Sequence, residues 1–340
     1  MKRDFISAAS IIIGLVALSF SSCQKTELTQ TASANDVYNG SLSAVFADEL
    51  VAMTETQQLS ATNGGVLSFS NGAVLNIPPN SFIDAENNLI VGSIDVSVAV
   101  ISGNAEMARV NIPSTSDGGM LLSGGVVNIE AMQNGRELFL DGVMDVSIPN
   151  SFENNTIQGA AGSLLISEND MEFFMGLEQQ DGSVNWMLDT SVTINFNTQT
   201  NTFDFFTTEI GFINCDVFSY DPVNCGPNSD ESCYVTISIP CPDGFDPLNV
   251  EVWIYFNDYS SLLGVPYNTQ TNTFEISNLL GEQIINYIVL ATDNGGYYTL
   301  SPNDMQDTLF YDLNHSLELN EGNMIYTTKE QWINMLESLP

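Results

Sequence analysis

Apolar and polar positions alternate with a period of two along most of the chain beyond Gly64. Leu67 and Phe69 alternate with serines, Asn71-Gly72 supplies a turn, and Leu75 and Ile77 alternate back, which predicts a hairpin on a type I′ turn. Ile94, Val96, Val98 and Val100 line one face of a later strand, with Ser93, Asp95 and Ser97 on the other. Val127, Ile129 and Ala131 run into a second Asn-Gly turn at 134–135, Leu138 and Leu140 follow it, and Met144, Val146 and Ile148 form a strand that stops at Pro149. Further along, Val250, Val252, Ile254 and Phe256 share one face. Ile284 to Ala291, the turn Asp293-Asn-Gly-Gly and Tyr297 to Leu300 predict another hairpin. Two segments break the period. Residues 41–57 suit one short helix, and the tail opens on a capping box (Thr327, Glu330) before Trp332, Ile333, Met335, Leu336 and Leu339. The pattern predicts an all-β chain of two β-sandwich domains with a short C-terminal helix docked on it.

The first residues read as an address. Lys2 and Arg3 precede an apolar run from Phe5 to Phe20, 16 residues long, below the ~18–20 that span a membrane. Phe20-Ser21-Ser22-Cys23 resembles a bacterial lipobox, with Phe20 in place of the usual Leu. That resemblance implies a signal peptide over 1–22 and acylation of Cys23; the alternative is a plain secreted chain in which Cys23 is incidental. Gln24-Lys25-Thr26-Glu27 resembles the signal that sends lipoproteins of the Bacteroidetes group to the outer leaflet. Residues 23–60 then form a tether with the short helix in it. The expected place is the bacterial outer membrane, facing the exterior, with membrane lipid as partner through Cys23.

Charge narrows the partners. The chain carries 42 Asp and Glu against 6 Lys and Arg, a net charge of −36, with one His. Removing residues 1–22 leaves Lys25, Arg109, Arg136 and Lys329 against 41 carboxylates, a net of 4 − 41 = −37. Nucleic acid is excluded as a partner, because binding it takes Lys and Arg to replace phosphate counterions. So few cations also imply that surface ion pairs contribute nothing to stability, and that self-repulsion is screened by a saline or cation-rich exterior.

Four cysteines besides Cys23 lie within 27 residues: Cys215, Cys225, Cys233 and Cys241. In an exported chain an even, clustered set reads as two disulfides with three possible connectivities. A zinc site is the rival, although no C-x-x-C occurs and His315 is far away.

The order of landmarks resembles a known module. Gly72-Ala-Val-Leu-Asn-Ile-Pro-Pro-Asn-Ser-Phe82, then Gly92-Ser-Ile-Asp-Val-Ser-Val, Leu122-Ser-Gly-Gly-Val-Val-Asn-Ile-Glu-Ala131, Val146-Ser-Ile-Pro and Phe173-Phe-Met-Gly lead to Trp186. This is similar to the ZU-five domain of ankyrins, tight-junction scaffolds and netrin receptors, and to the β-sandwich of uncharacterised Bacteroidetes surface lipoproteins. The resemblance implies a non-catalytic interaction module over 61–195. Beyond it, the turn-rich cysteine segment reads as a connector over 196–245, and the capped tail gives the terminal helix over 321–340. The regular strands and turns before that tail suggest a smaller Ig-like or transthyretin-like sandwich over 232–320, similar to the second domain common in those lipoproteins.

Candidate chemistry is sparse. No G-x-S-x-G, H-E-x-x-H or phosphate loop occurs, and His315 has no nucleophile motif beside it, so the chain reads as a non-enzyme without a cofactor. The calcium loop D-x-[DN]-x-[DN]-G is absent; the acidic turns Asp84–Asn88 and Asn228–Glu231 read as solvated, with structural calcium the weaker alternative. One heptapeptide occurs twice, at Asn197–Phe203 and Asn268–Phe274, each followed by an acid. It reads as a polar hairpin tip, with twin ligand loops as the alternative. Glu251, Trp253 and Tyr255 lie on the face opposite Val250, Val252 and Ile254, where paired aromatics beside an acid suit sugar stacking if the face is open. The bland reading packs them under the first domain or the terminal helix. The function expected is protein–protein interaction, adhesion or envelope scaffolding at the cell surface, with carbohydrate binding as the alternative.

Overall fold

The computed structural model describes residues 42–116, 119–152, 155–159, 162–179, 184–218, 234–256, 261–280, 284–293, 296–308, 315–320 and 323–338. Strands dominate them, as the two-residue period predicts. Residues 54–218 supply an eight-stranded sheet in the order Thr54–Ser60, Ser93–Ile101, Gly119–Gln133, Gly211–Phe218, Glu172–Glu178, Val184–Leu188, Thr115–Ser116, with Arg136–Glu137 beside Gly119–Gln133. They also supply a five-stranded sheet, Asn195–Asn197, Thr202–Thr207, Met144–Pro149, Val74–Ile77, Gly65–Ser68. Residues 234–327 form a four-stranded sheet (Tyr267–Asn268, Thr273–Leu280, Tyr234–Pro240, His315–Ser316) and a six-stranded one. The latter runs Leu262–Gly264, Val250–Phe256, Ile284–Asp293, Gly296–Leu300, Met324–Thr327, with Gln306–Thr308 beside Ile284–Asp293.

The expected boundaries move. Thr54–Ser60, placed by its sequence in the tether, is the edge strand of the eight-stranded sheet. Residues 195–218, placed partly in a connector, contribute three strands that complete the first two sheets. The reason is ordinary alternation: Phe203, Phe205, Ile213 and Cys215 all point into the core. Phe173 of one sheet meets Phe205 of the other edge-on, with ring centroids 5.3 Å apart.

The two Asn-Gly turns differ. Asn134 and Gly135 both have positive φ (53° and 76°) and join Gln133 to Arg136, as a type I′ turn requires. At the first turn only Gly72 is left-handed (φ 92°), and the loop is closed by Gly72 N–H to Phe69 O and Phe69 N–H to Ala73 O. That is a type I turn with a glycine bulge. Register explains the correction. A two-residue turn on Asn71-Gly72 would set Leu67 opposite Asn76, whereas the bulged loop sets Leu67 opposite Leu75 and keeps both in the core.

Three helices accompany the strands among the described residues: α1 (Leu42–Met53), α2 (Gly103–Arg109) and α3 (Lys329–Glu337). None is long and apolar enough to cross a membrane. The α3 capping box is formed by Thr328 and Gln331, one residue beyond the predicted pair Thr327 and Glu330, and Trp332 and Leu336 are buried. In α1 the buried positions Leu42, Val45, Phe46 and Glu49 follow helical spacing. These helices fill a joint. Phe46, Met107, Ala108, Trp332 and Leu336 share one apolar cluster with Ile101, Phe174 and Trp186 of the eight-stranded sheet and with Trp253, Tyr255, Ile288 and Leu290 of the six-stranded one. Ser114 N–H donates to Leu262 O across it at 2.6 Å. Ser93–Ile101 shows the consequence: it alternates at its start and is buried on both faces from Val98 onward.

Among the described residues ion pairs are few but concentrated, and they gather on a buried carboxylate rather than on the surface for which no contribution was expected. Glu49, in the apolar stripe of α1, receives Arg109 at 2.7 Å and Lys329 at 2.8 Å. Arg109 also reaches Glu337 at 3.2 Å, and Lys329 reaches Asp48 at 3.9 Å. Half of the four cations downstream of Cys23 therefore serve one carboxylate, because a buried charge left unpaired is far more costly than an exposed one.

A second buried acid lies in Gly211–Phe218, where pairing with Gly119–Gln133 shifts register between Asn214 and Asp216. Burial pushes the Asp216 carboxyl well above the usual range, against hydrogen bonds from Ser123, Asn214 and the Gly124 backbone that pull it down. The folded chain thus holds a proton that the unfolded chain, with a pKa near ~3.9, releases. This group's stability contribution is complete below about pH 4 and is lost as pH rises towards the raised folded value. Asp216→Asn keeps the shape without the charge. Urea midpoints measured at a series of pH values above 4 should decline more steeply in the wild type than in this variant; parallel profiles would show that the carboxyl is not held protonated.

Candidate functional site

The residues singled out in the sequence do not assemble into one site. Trp253 and Tyr255 lie on the face predicted, but that face is closed: both are fully buried and Glu251 is half-buried. The Trp253 indole N–H donates to Asn111 Oδ1 at 3.1 Å, and its ring meets Phe46 of α1 edge-on at 5.8 Å. Burial pushes the Tyr255 phenol up to about 12. A sugar has no access to a stacking surface there, so the platform expected at Glu251, Trp253 and Tyr255 is corrected to packing at the joint.

The cysteine expectation changes as well. Cys215 is a free thiol in the core, its pKa raised by burial and by Asp216, and Cys241 is a free, half-buried thiol near the Phe245 carbonyl. Neither takes part in a disulfide, and Cys215 points into a packed sheet interior. Cys225, Cys233, the Asn228–Glu231 turn and Cys23 lie outside the described residues. The Asp84 turn is self-satisfied: Asp84 Oδ1 accepts from the backbone of Glu86 and Asn88, and the Asn88 amide binds both carboxylate oxygens. Hydrogen bonds from Asn88, chiefly its side chain, lower its pKa. His315 Nδ1 lies 3.3 Å from Asp307 Oδ2, which also accepts from Tyr287 OH at 3.4 Å, an arrangement that ties the two sheets of the second half together. Among the described residues no group of three or more His, Cys, Asp or Glu gathers to hold a metal ion.

The duplicated heptapeptide folds the same way twice. Asn201 and Asn272 are both left-handed (φ 55° and 59°). Asn197 Oδ1 accepts from Gln199 N–H and Asn268 Oδ1 from Gln270 N–H. Asn197 Nδ2 reaches Asp204 at 3.1 Å and Asn268 Nδ2 reaches Glu275 at 2.9 Å. The pairs Thr200–Thr202 and Thr271–Thr273 match, and Thr202 and Thr273 donate to the same two acids. Repeated residues here encode a repeated turn, whose polar atoms are largely used internally; they also lower the Glu275 pKa, chiefly through Thr273 and Asn268.

One of these hairpins borders the surface that sequence reasoning missed, the outer face of the five-stranded sheet. Cross-strand pairing places Phe206 opposite Asp145, Asp145 opposite Asn76, and Asn76 opposite Val66, one row across four strands. The next row runs Asn195, Asp204, Ser147, Val74 and Ser68. Asn76 Nδ2 donates to Asp145 Oδ2 at 2.8 Å. Asp204 accepts from Ser147 at 2.6 Å and Thr202 at 2.9 Å on one oxygen and from Asn197 on the other. Phe206, Asp145, Asn76, Ser147, Asp204 and Asn197 line an open cleft of about 290 Å³. Phe206 is 60% exposed although Phe203 and Phe205 beside it are buried. The available signal was parity: in Thr202–Thr207 the odd positions face the core, so Phe206 had to face outward. Compared with known proteins, the chain matches no protein-family model and no curated protein.

Proposed function

We propose that the chain is a non-enzymatic, lipid-anchored protein of the bacterial outer-membrane exterior, working in adhesion or envelope scaffolding through the outer face of its five-stranded sheet. In this reading the body is two β-sandwiches, a ZU-five-like one followed by a smaller Ig-like or transthyretin-like one, and membrane lipid is bound through acylated Cys23. The observation that carries the binding role is the cleft at Phe206, where a large apolar ring is left in water beside hydrogen-bonded amides and carboxylates. The lipobox resemblance at Phe20–Cys23 supports the anchoring. The inner side of the five-stranded sheet is packed into the core, which suits a display role, because a face held by packed elements presents its groups without paying ordering entropy at each encounter.

Metabolic labelling with palmitate tests the anchor. Label is expected on the wild type and absent from Cys23→Ser, which should appear in the soluble fraction; label persisting in Cys23→Ser would sink the assignment. Protease added to intact cells should remove the body if it faces the exterior.

A further inference from the structure

We propose that the ligand of this outer sheet face is a neutral glycan, with Phe206 as the stacking residue and the Asn76–Asp145 and Asn197–Asp204 pairs as the hydroxyl-recognising groups. The inference rests on the binding role argued above and names its ligand class.

Three features of the face select that chemistry. The first is the arrangement of donors and acceptors. An amide stands beside a carboxylate in each pair, and the internal bond from Asn76 to Asp145 Oδ2 uses one of two amide protons and one of two carboxylate oxygens, leaving a donor and an acceptor side by side on the cleft lining. Neighbouring hydroxyls on a sugar ring both donate and accept, so they match a donor and an acceptor held side by side. The second is charge. Asn76, Asp145, Ser147, Asn195, Asn197 and Asp204 include no cation, on a chain of net charge −36, so sulfated or uronic-acid glycans are repelled. Asp204 does not call for a cationic partner either, since it already takes three side-chain hydrogen bonds. The third is shape. Four strands carry the row from Phe206 to Val66, a platform about 14 Å wide at the usual strand spacing. Its exposed ring stands at one end, where the apolar face of a sugar can be covered without burying a charge. The Ser147, Thr202 and Asn197 bonds hold Asp204 in place before any ligand arrives, which lowers the ordering cost of binding.

The test uses the full-length lipidated chain in detergent micelles on an array of neutral hexose oligosaccharides alongside sulfated and uronic-acid oligosaccharides. Binding is expected to the neutral set alone. Phe206→Ala should weaken it by about tenfold or more with an unchanged melting temperature, since that side chain contributes little to the core. Asp145→Leu should weaken it too, through loss of the hydroxyl acceptor. No binding to any neutral oligosaccharide, equal binding to the anionic set, or full binding by Phe206→Ala would each overturn the proposal. Crosslinking on intact cells separates the two levels. A protein partner whose capture is lost in Phe206→Ala, with no glycan bound, would sink the glycan but keep the binding face. Capture unaffected by Phe206→Ala, with no glycan bound, would remove the face as well.

Discussion

Replacing Trp253 by Ala is expected to destabilise the protein by about 3–5 kcal/mol, the range for truncating a buried aromatic side chain. The indole is fully buried, packs on Phe46 and bonds to Asn111 Oδ1, itself on a buried residue with φ 54°. The truncation therefore opens a cavity and strands an acceptor at the same point. Because the residue sits where the helices, the eight-stranded sheet and the six-stranded sheet meet, the loss falls on the joint rather than on either half. Denaturant unfolding should change from one transition towards two, with the halves melting separately. Trp253→Phe should retain much of the packing and forfeit the hydrogen bond, for about 1–3 kcal/mol. A single transition at the wild-type midpoint in Trp253→Ala would show that Trp253 does not hold the joint.

Arg109→Met is expected to be the second most damaging change, at about 2–3 kcal/mol. Removing one partner of a buried ion pair leaves the other charge uncompensated, but Lys329 remains at 2.8 Å from Glu49, which holds the loss below that of a lone pair. Burial pushes the Glu49 carboxyl up, while hydrogen bonds and charge from Lys329 and Arg109 outweigh it and leave the pKa lowered. A lowered folded pKa adds stability that is present above the unfolded value and lost as pH falls through the folded one. In Arg109→Met that pull is weakened and the folded pKa moves back up towards the unfolded one, so the acid-side decline from this group should be shallower and end at higher pH than in the wild type. Urea unfolding across the acid range measures it; coincident acid limbs would show that Arg109 does not hold the Glu49 charge. The opposite slope expected from Asp216 keeps the two effects separable.

Much of the fold was legible because a strand's side chains can only alternate. The Ile94–Val100 face, the Met144–Ile148 face, the Val250–Phe256 face and the type I′ turn at Asn134-Gly135 follow from local pattern and backbone sterics. The Asn71-Gly72 turn shows where local preference yields: the dipeptide favours a two-residue turn, yet Leu67 and Leu75 reach the same face only through a longer loop. Parity in the flanking strands carried that information. The clustered, turn-rich cysteine segment reads as a connector, yet the alternation at 203–215 that precedes it is strand pattern, and three strands run there.

The candidate site was less legible for a physical reason. Asn76, Asp145, Asp204 and Phe206 come from three strands far apart in sequence, and only cross-strand register brings them into adjoining rows. Trp253 and Tyr255 were the reverse case, a pair visible in one strand whose exposure depended on what lay above them. By itself the sequence determined which positions share a face, where the chain turns, and how acid-rich the chain is. The tertiary structure decided which faces meet water. Alternation specifies two sides of a strand but not their surroundings, and here α1, α2 and α3 cover one aromatic face while leaving the ring of Phe206 open. The same rule governs charge: composition sets how few cations the chain has, and burial of Glu49 decides where two of them go.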